Sequence, residues 1–367
     1  MDPSELRADI PALRECIYLN TGAASPSPAS VIEAVEACLD RHERVAPAGE
    51  GMYPAADAVF EEAREAVAGL LGAHPAEIAL TESTADGISQ VADAIPFEEG
   101  DIVVRTDCEH PAGVLPWERL RDLCGIEVRE VATDRGRLDL DDFADAASDA
   151  RLVCTSSLSW NYGTRLPIAE MTEIAHDAGA QVLVDAVQSP GQVDVDVNEW
   201  RADFVAGAGH KWLCGPWGAG FLYVADEVTG GLEPDRIGYR SVRDPGASDY
   251  ELNPGAARLE IGTTSPLPYA GLSAAIGTIK SIGLGAIESH IETLTDRCKD
   301  GLGDRLLSPR AYESGLVTFA ADDPDELVAT LDEVGIKIRS LPDPDACRAS
   351  LHAFNTVEDV DALLTAL

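Results

Sequence analysis

QVLVDAVQSPGQVDVDVNEWRADFVAGAGHKWLCGPWGAGFLYV, residues 181–224, decides the fold. Three short apolar runs lie in it: QVLVDA at 181–186, DFVAGA at 203–208 and GAGFLYV at 218–224. Each has the length and β-branched content of a buried strand. Asp185 closes the first run, and Lys211 follows the second within a glycine-rich, apolar turn. Upstream, IVV at 102–104 and RLVCTSS at 151–157 repeat the strand pattern, and IAEMTEIAHDAG between 168 and 179 reads as a helix closed by Gly179. Continuous apolar strands alternating with helices predict a largely parallel sheet covered on both faces.

The flanks extend this. Val31, Ile32, Val35, Cys38 and Leu39 share one helical face, as do Val59, Phe60, Ala63, Val67, Leu70 and Leu71, before Gly72. Ile88, Val91 and Ile95 mark a third helix, with Ser83 and Thr84 at its start. The Pro/Gly-rich stretch from 230 to 268 reads as a connector, followed by helices through LSAAIGTIKSIG and 287–302. A smaller α/β lobe is expected after that: strand LVTFA, helix DELVATLDEVG, strands IKIRS and SLHAF, and a last helix with Asn355 and Glu358 as its capping box.

The chain has 367 residues, Lys+Arg 27 against Asp+Glu 65, and a formal net charge of −38. Such a surface repels phosphates and anionic lipid, so neither nucleic acid nor membrane is an expected partner. The acid excess is dispersed and only four lysines occur, which suits a salt-rich cytoplasm; an ordinary acidic cytosolic enzyme is the alternative. The start, MDPSELRADI, lacks a basic-then-apolar leader, and no run of apolar residues reaches membrane-spanning length. Eight cysteines without C-x-x-C or zinc-type spacing point to a reduced cytoplasm and to no metal site, with Cys38, Cys124 and Cys154 as small core residues.

Five features carry chemistry. Lys211 in apolar surroundings would lose proton affinity and become an amine nucleophile; alternatively it snorkels from a strand end. The other three lysines read as solvated. Asp185, at the carboxyl end of a strand, needs a cationic partner such as a protonated ring nitrogen, or else caps a turn. TESTADG offers hydroxyls and free N–H groups at a helix start, an anion site or a plain cap. His110 in CEHPAGVLPW is an isolated imidazole, structural or catalytic. Arg348 in CRASLHAFNT could grip a carboxylate with two parallel hydrogen bonds, or sit in a surface salt bridge. Together they are what pyridoxal phosphate chemistry requires.

Over nearly the whole chain the sequence resembles the class V aminotransferase family of fold type I pyridoxal-phosphate enzymes. The resemblance rests on YLNTGAASPSP, TESTADGISQVA, CEHPAGVLPW, SSLSWNYGTRLPI, LVDAVQSPGQVDVDV, GAGHKWLCGPWGAGFLYV, LEIGTTS and RASLHAFNTVEDVDALL. It implies an α/β fold with an N-terminal segment over 1–20, a large cofactor-binding domain over 21–255 with a mostly parallel sheet, and a small C-terminal α/β domain over 256–367. It implies that Lys211 is the Schiff-base lysine and proton shuttle, that Asp185 pairs with the pyridine nitrogen, and that Gln188 bonds the ring oxygen. His110 would stack on the ring. Ser83, Thr84 and Ala85 would hold the phosphate with His210 nearby, and Thr263 would reach the phosphate of the other subunit in a homodimer with a shared active site. Asn161 would meet cofactor and substrate carboxylate, Arg348 would bind that carboxylate, and Arg339 would meet substrate as in the epimerase-like branch.

Two departures stand out: Ala208 where many relatives have serine, and Ala85 where some have threonine, which would thin the phosphate cradle. Desulfurases of the family carry a nucleophilic cysteine on a loop upstream of the carboxylate arginine, and DEVGIKIRSLPDPDA contains none. The expected function is therefore transamination of a small amino acid. The alternatives are a cysteine desulfurase or C–S lyase activity, an isopenicillin N epimerase-like activity, or a catalytically silent binding protein on the same scaffold. A dinucleotide-binding reading fails because GPWGAG precedes a strand and does not open a helix.

Overall fold

A computed structural model describes residues 1–367. Seven strands form the main sheet: β1 (Ile78–Thr81), β2 (Ile102–Thr106), β3 (Glu127–Val131), β4 (Leu152–Ser156), β5 (Gln181–Asp185), β6 (Phe204–Ala208) and β7 (Gly220–Val224). Their spatial order is β1-β7-β6-β5-β4-β2-β3. All neighbouring pairs from β6 to β3 are parallel, whereas β7 runs antiparallel to both β1 and β6. The expected mostly parallel sheet is therefore mixed at one side. β4, β6 and β7 are buried at every residue, as strands covered on both faces should be. One apolar layer packs Phe60, Val67, Met171 and Ile276 against one face, and a second packs Ile88, Val91 and Trp117 against the other.

A three-stranded antiparallel sheet stands apart: β8 (Leu316–Phe319), β9 (Arg339–Pro342) and β10 (Asp345–Ser350), in the order β8-β10-β9. The helices Pro324–Glu333 and Val357–Ala366 flank it, and its own core includes Val317, Phe319, Cys347 and Leu363. Ile17–Tyr18 pairs in parallel with Ile336–Lys337, which ties the N-terminal segment to this lobe. The helix Leu267–Ile282 packs on Ala29–Asp40 and Met52–Leu71. No single helix is long and apolar enough to cross a membrane.

The structure corrects several sequence expectations. The last strand is Asp345–Ser350 and not SLHAF: Leu351 N–H still bonds Gly315 O, but His352 and Ala353 turn back onto Asn355 and His352. IKIRS divides between two different sheets. The final capping box is Thr356 with Asp359, one residue beyond the expected pair. Cys124 is exposed and Cys38 half-buried, so only Cys154 of that trio is a core residue. Lys299 is buried, 2% exposed, and not solvated; its Nζ donates to Ala311 O. β1 and β3 escaped sequence reading, because β1 is brief and β3 (EVREV) is mostly polar at a sheet edge.

Candidate active site

The carboxyl ends of the parallel strands converge on one cleft, where ligands bind in open α/β sheets. β5 delivers Asp185 and the turn after it Gln188. β6 leads into His210 and Lys211. The helix Thr84–Ala94 begins beside β1 and β7, and the loop after β2 carries His110.

Asp185 is 4% exposed. Its Oδ1 accepts only the Val187 N–H, at 3.0 Å, and the protein gives Oδ2 no donor. Burial raises its pKa, against the opposing pull of that N–H and of Lys211. Lys211 is half-buried, with no hydrogen-bond partner. Desolvation pushes its pKa down to about 8; Asp185 resists this, and Arg348 and Arg339 reinforce it. His110 opens to the cleft, caps Pro111–Gly113 through Nδ1, and meets the edge of Trp160 at 5.5 Å between centroids. Crowding by protein atoms, then the charges of Lys211, Arg339 and Arg348, push it to about 4, so it is neutral at pH 7.

Ser83 is the N-cap: its side chain accepts from Asp86 N–H at 3.1 Å. The Thr84 hydroxyl is buried without a partner, and Ala85 is exposed. His210 lies against Trp217, centroids 4.7 Å apart. Ala208 is buried at the end of β6. Thr263 adopts φ 55° and bonds the Tyr239 hydroxyl; it lines a cavity of about 580 Å³ with Thr81, Glu82 and Gly218, which does not include Lys211.

Arg348 is wholly buried on β10, directly opposite Arg339 on β9. Its Nη1 donates to Trp160 O, while Nε and Nη2 are buried without acceptors. Two like charges in register are unfavourable unless an anion lies between them. Burial and Arg339 together lower the Arg348 pKa to about 9. Gly22 makes room for this side chain: a Cβ there would lie 2.9 Å from Arg348 Nη2. Asn161 is buried next to Trp160, whose carbonyl Arg348 binds, its Nδ2 donating to Asp343 O at 3.3 Å and its Oδ1 accepting from Ser159.

A buried carboxylate, an unpaired amine, an unpartnered hydroxyl at a helix start and an unsatisfied guanidinium are complementary to a ring nitrogen, an aldehyde, a phosphate and an amino-acid carboxylate respectively. The donor set therefore fits pyridoxal phosphate and an amino acid.

Sequence reasoning missed four neighbours. Glu109, 6% exposed, accepts from Thr106 Oγ1, Ser156 N–H and Ser156 Oγ, and burial raises it to about 7. Trp212 bonds Gln188, and Asn20 Oδ1 and Thr21 Oγ1 are further buried atoms without partners. Glu109 was visible as an acid beside His110, and Trp212 as the neighbour of Lys211, but nothing in the sequence revealed their contacts.

No cysteine Sγ is hydrogen-bonded to Lys211, Asp185, His110 or Arg348; Cys214, three residues after Lys211, is buried against Ser25 and His352, and burial pushes it up to about 12. Cys347, next to Arg348, faces the other side of β10 and contacts Pro324 O; Cys108 is buried against Thr106, and burial pushes it up to about 12. β9 and β10 join through only Asp343 and Pro344, leaving no loop upstream of Arg348.

The family model for aminotransferase class-V matches residues 17–363. A "Probable cysteine desulfurase" of Methanothermobacter thermautotrophicus is 35% identical, across 99% of this chain and 96% of that protein. An isopenicillin N epimerase of Streptomyces clavuligerus is 30% identical, across 96% and 94%. Among solved structures, apo cysteine desulfurase from Thermococcus onnurineus NA1 superposes with a TM-score of 0.93 at 33% identity, covering 100% of this chain and 97% of that one. The cystine C–S lyase C-DES bound to cysteine persulfide gives 0.92 at 28%, covering 97% and 98%. A C-DES mutant with glycine covalently linked to its PLP cofactor gives 0.91 at 27%, covering 98% of each chain.

Proposed function

We propose, from the premise that this chain belongs to the class V aminotransferase family and is a pyridoxal-phosphate enzyme of fold type I, that it is a C–S lyase acting on a cysteine-type amino acid. The observation that carries this reading is that no cysteine bonds Lys211, Asp185, His110 or Arg348, beside relatives that break carbon–sulfur bonds. The relatives favour this chemistry over the transamination expected from sequence.

Pyridoxal phosphate, when bound, supplies an electron-accepting ring that acidifies the α C–H bond of an attached amino acid. Lys211 supplies the amine that tethers it, and then takes the α-proton at Nζ. Asp185 Oδ2 would hold the ring nitrogen's proton, and His110, a neutral imidazole, would lie against the ring. Thr84 with the N–H groups around Ser83 and Ala85 takes the phosphate, near His210. Gln188 Nε2 serves the ring oxygen. Arg348 clamps the α-carboxylate with its free Nε and Nη2, and Arg339 and Asn161 border the same space. Proton removal by Lys211 would be followed by loss of the β-sulfur, as hydrosulfide from cysteine or as cysteine persulfide from cystine, and addition of water to the remaining carbon fragment would give pyruvate and ammonia. With no cysteine bonded to these residues, the sulfur is not passed to the enzyme.

Incubation with a panel of amino acids, without an oxo-acid acceptor, tests this. Sulfide or persulfide release from cysteine or cystine is expected. A stably aminated cofactor would instead mean transamination, and scrambled α-chirality an epimerase. The second reading, a persulfide-forming desulfurase, is favoured by the names of the relatives.

A homodimer is also proposed. Trp217, Tyr53 and Val45 expose large apolar surfaces, at 71%, 64% and 54%, and in such a dimer Thr263 would be the residue to reach the partner's phosphate site.

Two predictions follow from charge. With Lys211 near 8, about one amine in ten is neutral at pH 7, against roughly one in three thousand for an ordinary lysine. Capture of pyridoxal phosphate by the apoenzyme, followed by visible absorbance, accelerates with pH and levels off above about 8. A rate still climbing at pH 10 would contradict the lowered pKa. The second concerns the net charge of −38, which we read as an adaptation to salt in a cytoplasmic enzyme. Thermal midpoints should rise between about 0.1 M and 1 M KCl, as the screening length falls from ~10 Å to ~3 Å. A flat profile would count against it.

A further inference from the structure

The residue after Lys211 is held from four directions. Trp212 is fully buried. Its indole N–H donates to Gln188 Oε1 at 2.7 Å, and its carbonyl accepts from His352 Nε2 at 2.7 Å. Its ring packs so closely on Gly315 that a Cβ there would lie 2.8 Å away, and a Cβ on Gly191 would lie 2.4 Å from its carbonyl oxygen. Gln192 completes the frame, donating to Gln188 O and accepting from Gly315 N–H. Gly315 and His352 belong to the same lobe as Arg348, and His352 lies four residues beyond it.

An indole N–H only donates. The atom of Gln188 that faces it must therefore be Oε1, and Nε2 is turned the other way. There one of its hydrogens meets Gly22 O at 3.0 Å, and the second is free for the cleft. A reversed amide would set donor against donor at Trp212 and acceptor against acceptor at Gly22.

We propose that Trp212 is a positioning residue: its indole N–H fixes the Gln188 amide so that Nε2 donates into the cofactor cleft, and its carbonyl ties that arrangement to the lobe carrying Arg348. The proposal rests on the reading that Gln188 serves the cofactor's ring oxygen. Without the indole N–H, Gln188 Oε1 is left unsatisfied among buried atoms and the amide reorients to find another donor. The negative ring oxygen then loses its hydrogen bond and retains the adjacent proton to higher pH.

The test uses the holoenzyme. Trp212→Phe keeps an aromatic ring and removes the N–H. Replacement of Trp212 by β-(3-benzothienyl)alanine removes the N–H at nearly constant shape, should the phenylalanine variant not fold. Circular dichroism and cofactor content confirm folding. The pH midpoint of the cofactor's visible absorbance is expected to rise by about half a unit or more in either variant, and in Gln188→Ala. The double variant Trp212→Phe/Gln188→Ala should show no more than Gln188→Ala alone. kcat should fall with KM nearly unchanged. If Gln188→Ala shifts the midpoint and the Trp212 variants do not, or if the two shifts add, Trp212 does not act through Gln188. If Gln188→Ala itself shifts nothing, the ring-oxygen role fails, and the proposal with it.

Discussion

Lys211→Ala will fold and lose both the covalently held cofactor and turnover. Removing this side chain costs the structure little, because its Nζ makes no hydrogen bond, its burial is unfavourable to the charge, and the attraction to Asp185 that is lost is set against relief from Arg348 and Arg339. For activity the loss is double. On the proposed assignment the amine tethers pyridoxal phosphate and the same nitrogen moves the α-proton, a general-base role alone worth about 10²–10⁴-fold. A fall in kcat/KM of at least ~10⁴-fold is expected. Borohydride treatment, which traps the cofactor on the wild-type chain, should leave the variant unlabelled, with the label on the wild type mapping to the peptide containing Lys211. Labelling of Lys299, which is buried on the helix Leu284–Leu302, would displace the assignment.

Arg348→Ala is the second large effect. The guanidinium is buried with two nitrogen atoms lacking acceptors, a desolvated cation waiting for an anion. Losing one partner of a buried charged pair costs about 2–5 kcal/mol, so kcat/KM for the amino acid should drop by roughly 30- to 4,000-fold. Most of that should appear in KM, since the carboxylate contact exists before the reaction. Arg348→Lys should rescue little: an ammonium cannot hold Trp160 O and grip a carboxylate through a planar fork. Bound cofactor should remain at wild-type levels, which separates this loss from that of Lys211→Ala. An unchanged KM would remove Arg348 from the substrate site.

How far the sequence could be read depends on the range of the interactions. Asp185 and Lys211 were legible because each breaks a local pattern, an acid closing an apolar strand and a rare lysine among glycines. The Ser83 cap was legible because capping spans three residues. The opposition of Arg339 and Arg348 was not, since it depends on the register of a hairpin whose turn could have been read several ways. SLHAF has the composition of a strand, but its backbone groups are taken up by local turns, and composition does not reveal competing partners. Lys299 looked solvated for the same reason: the carbonyl of Ala311 that satisfies it lies on a segment the helix pattern does not reach. The contacts of Trp212, Gln188, Gly22 and His352 join residues up to 166 positions apart, and only folding brings them together.

The products of cysteine and cystine test the account most directly. Carbon and sulfur should be followed in one reaction, with the protein recovered and examined for bound sulfur. A cleft with no cysteine bonded to Lys211, Asp185, His110 or Arg348 predicts pyruvate and ammonia in equal amounts, sulfur in solution as sulfide or persulfide, and no sulfur on any of the eight cysteines. Alanine as the carbon product, with persulfide on a cysteine of the recovered protein, would contradict it.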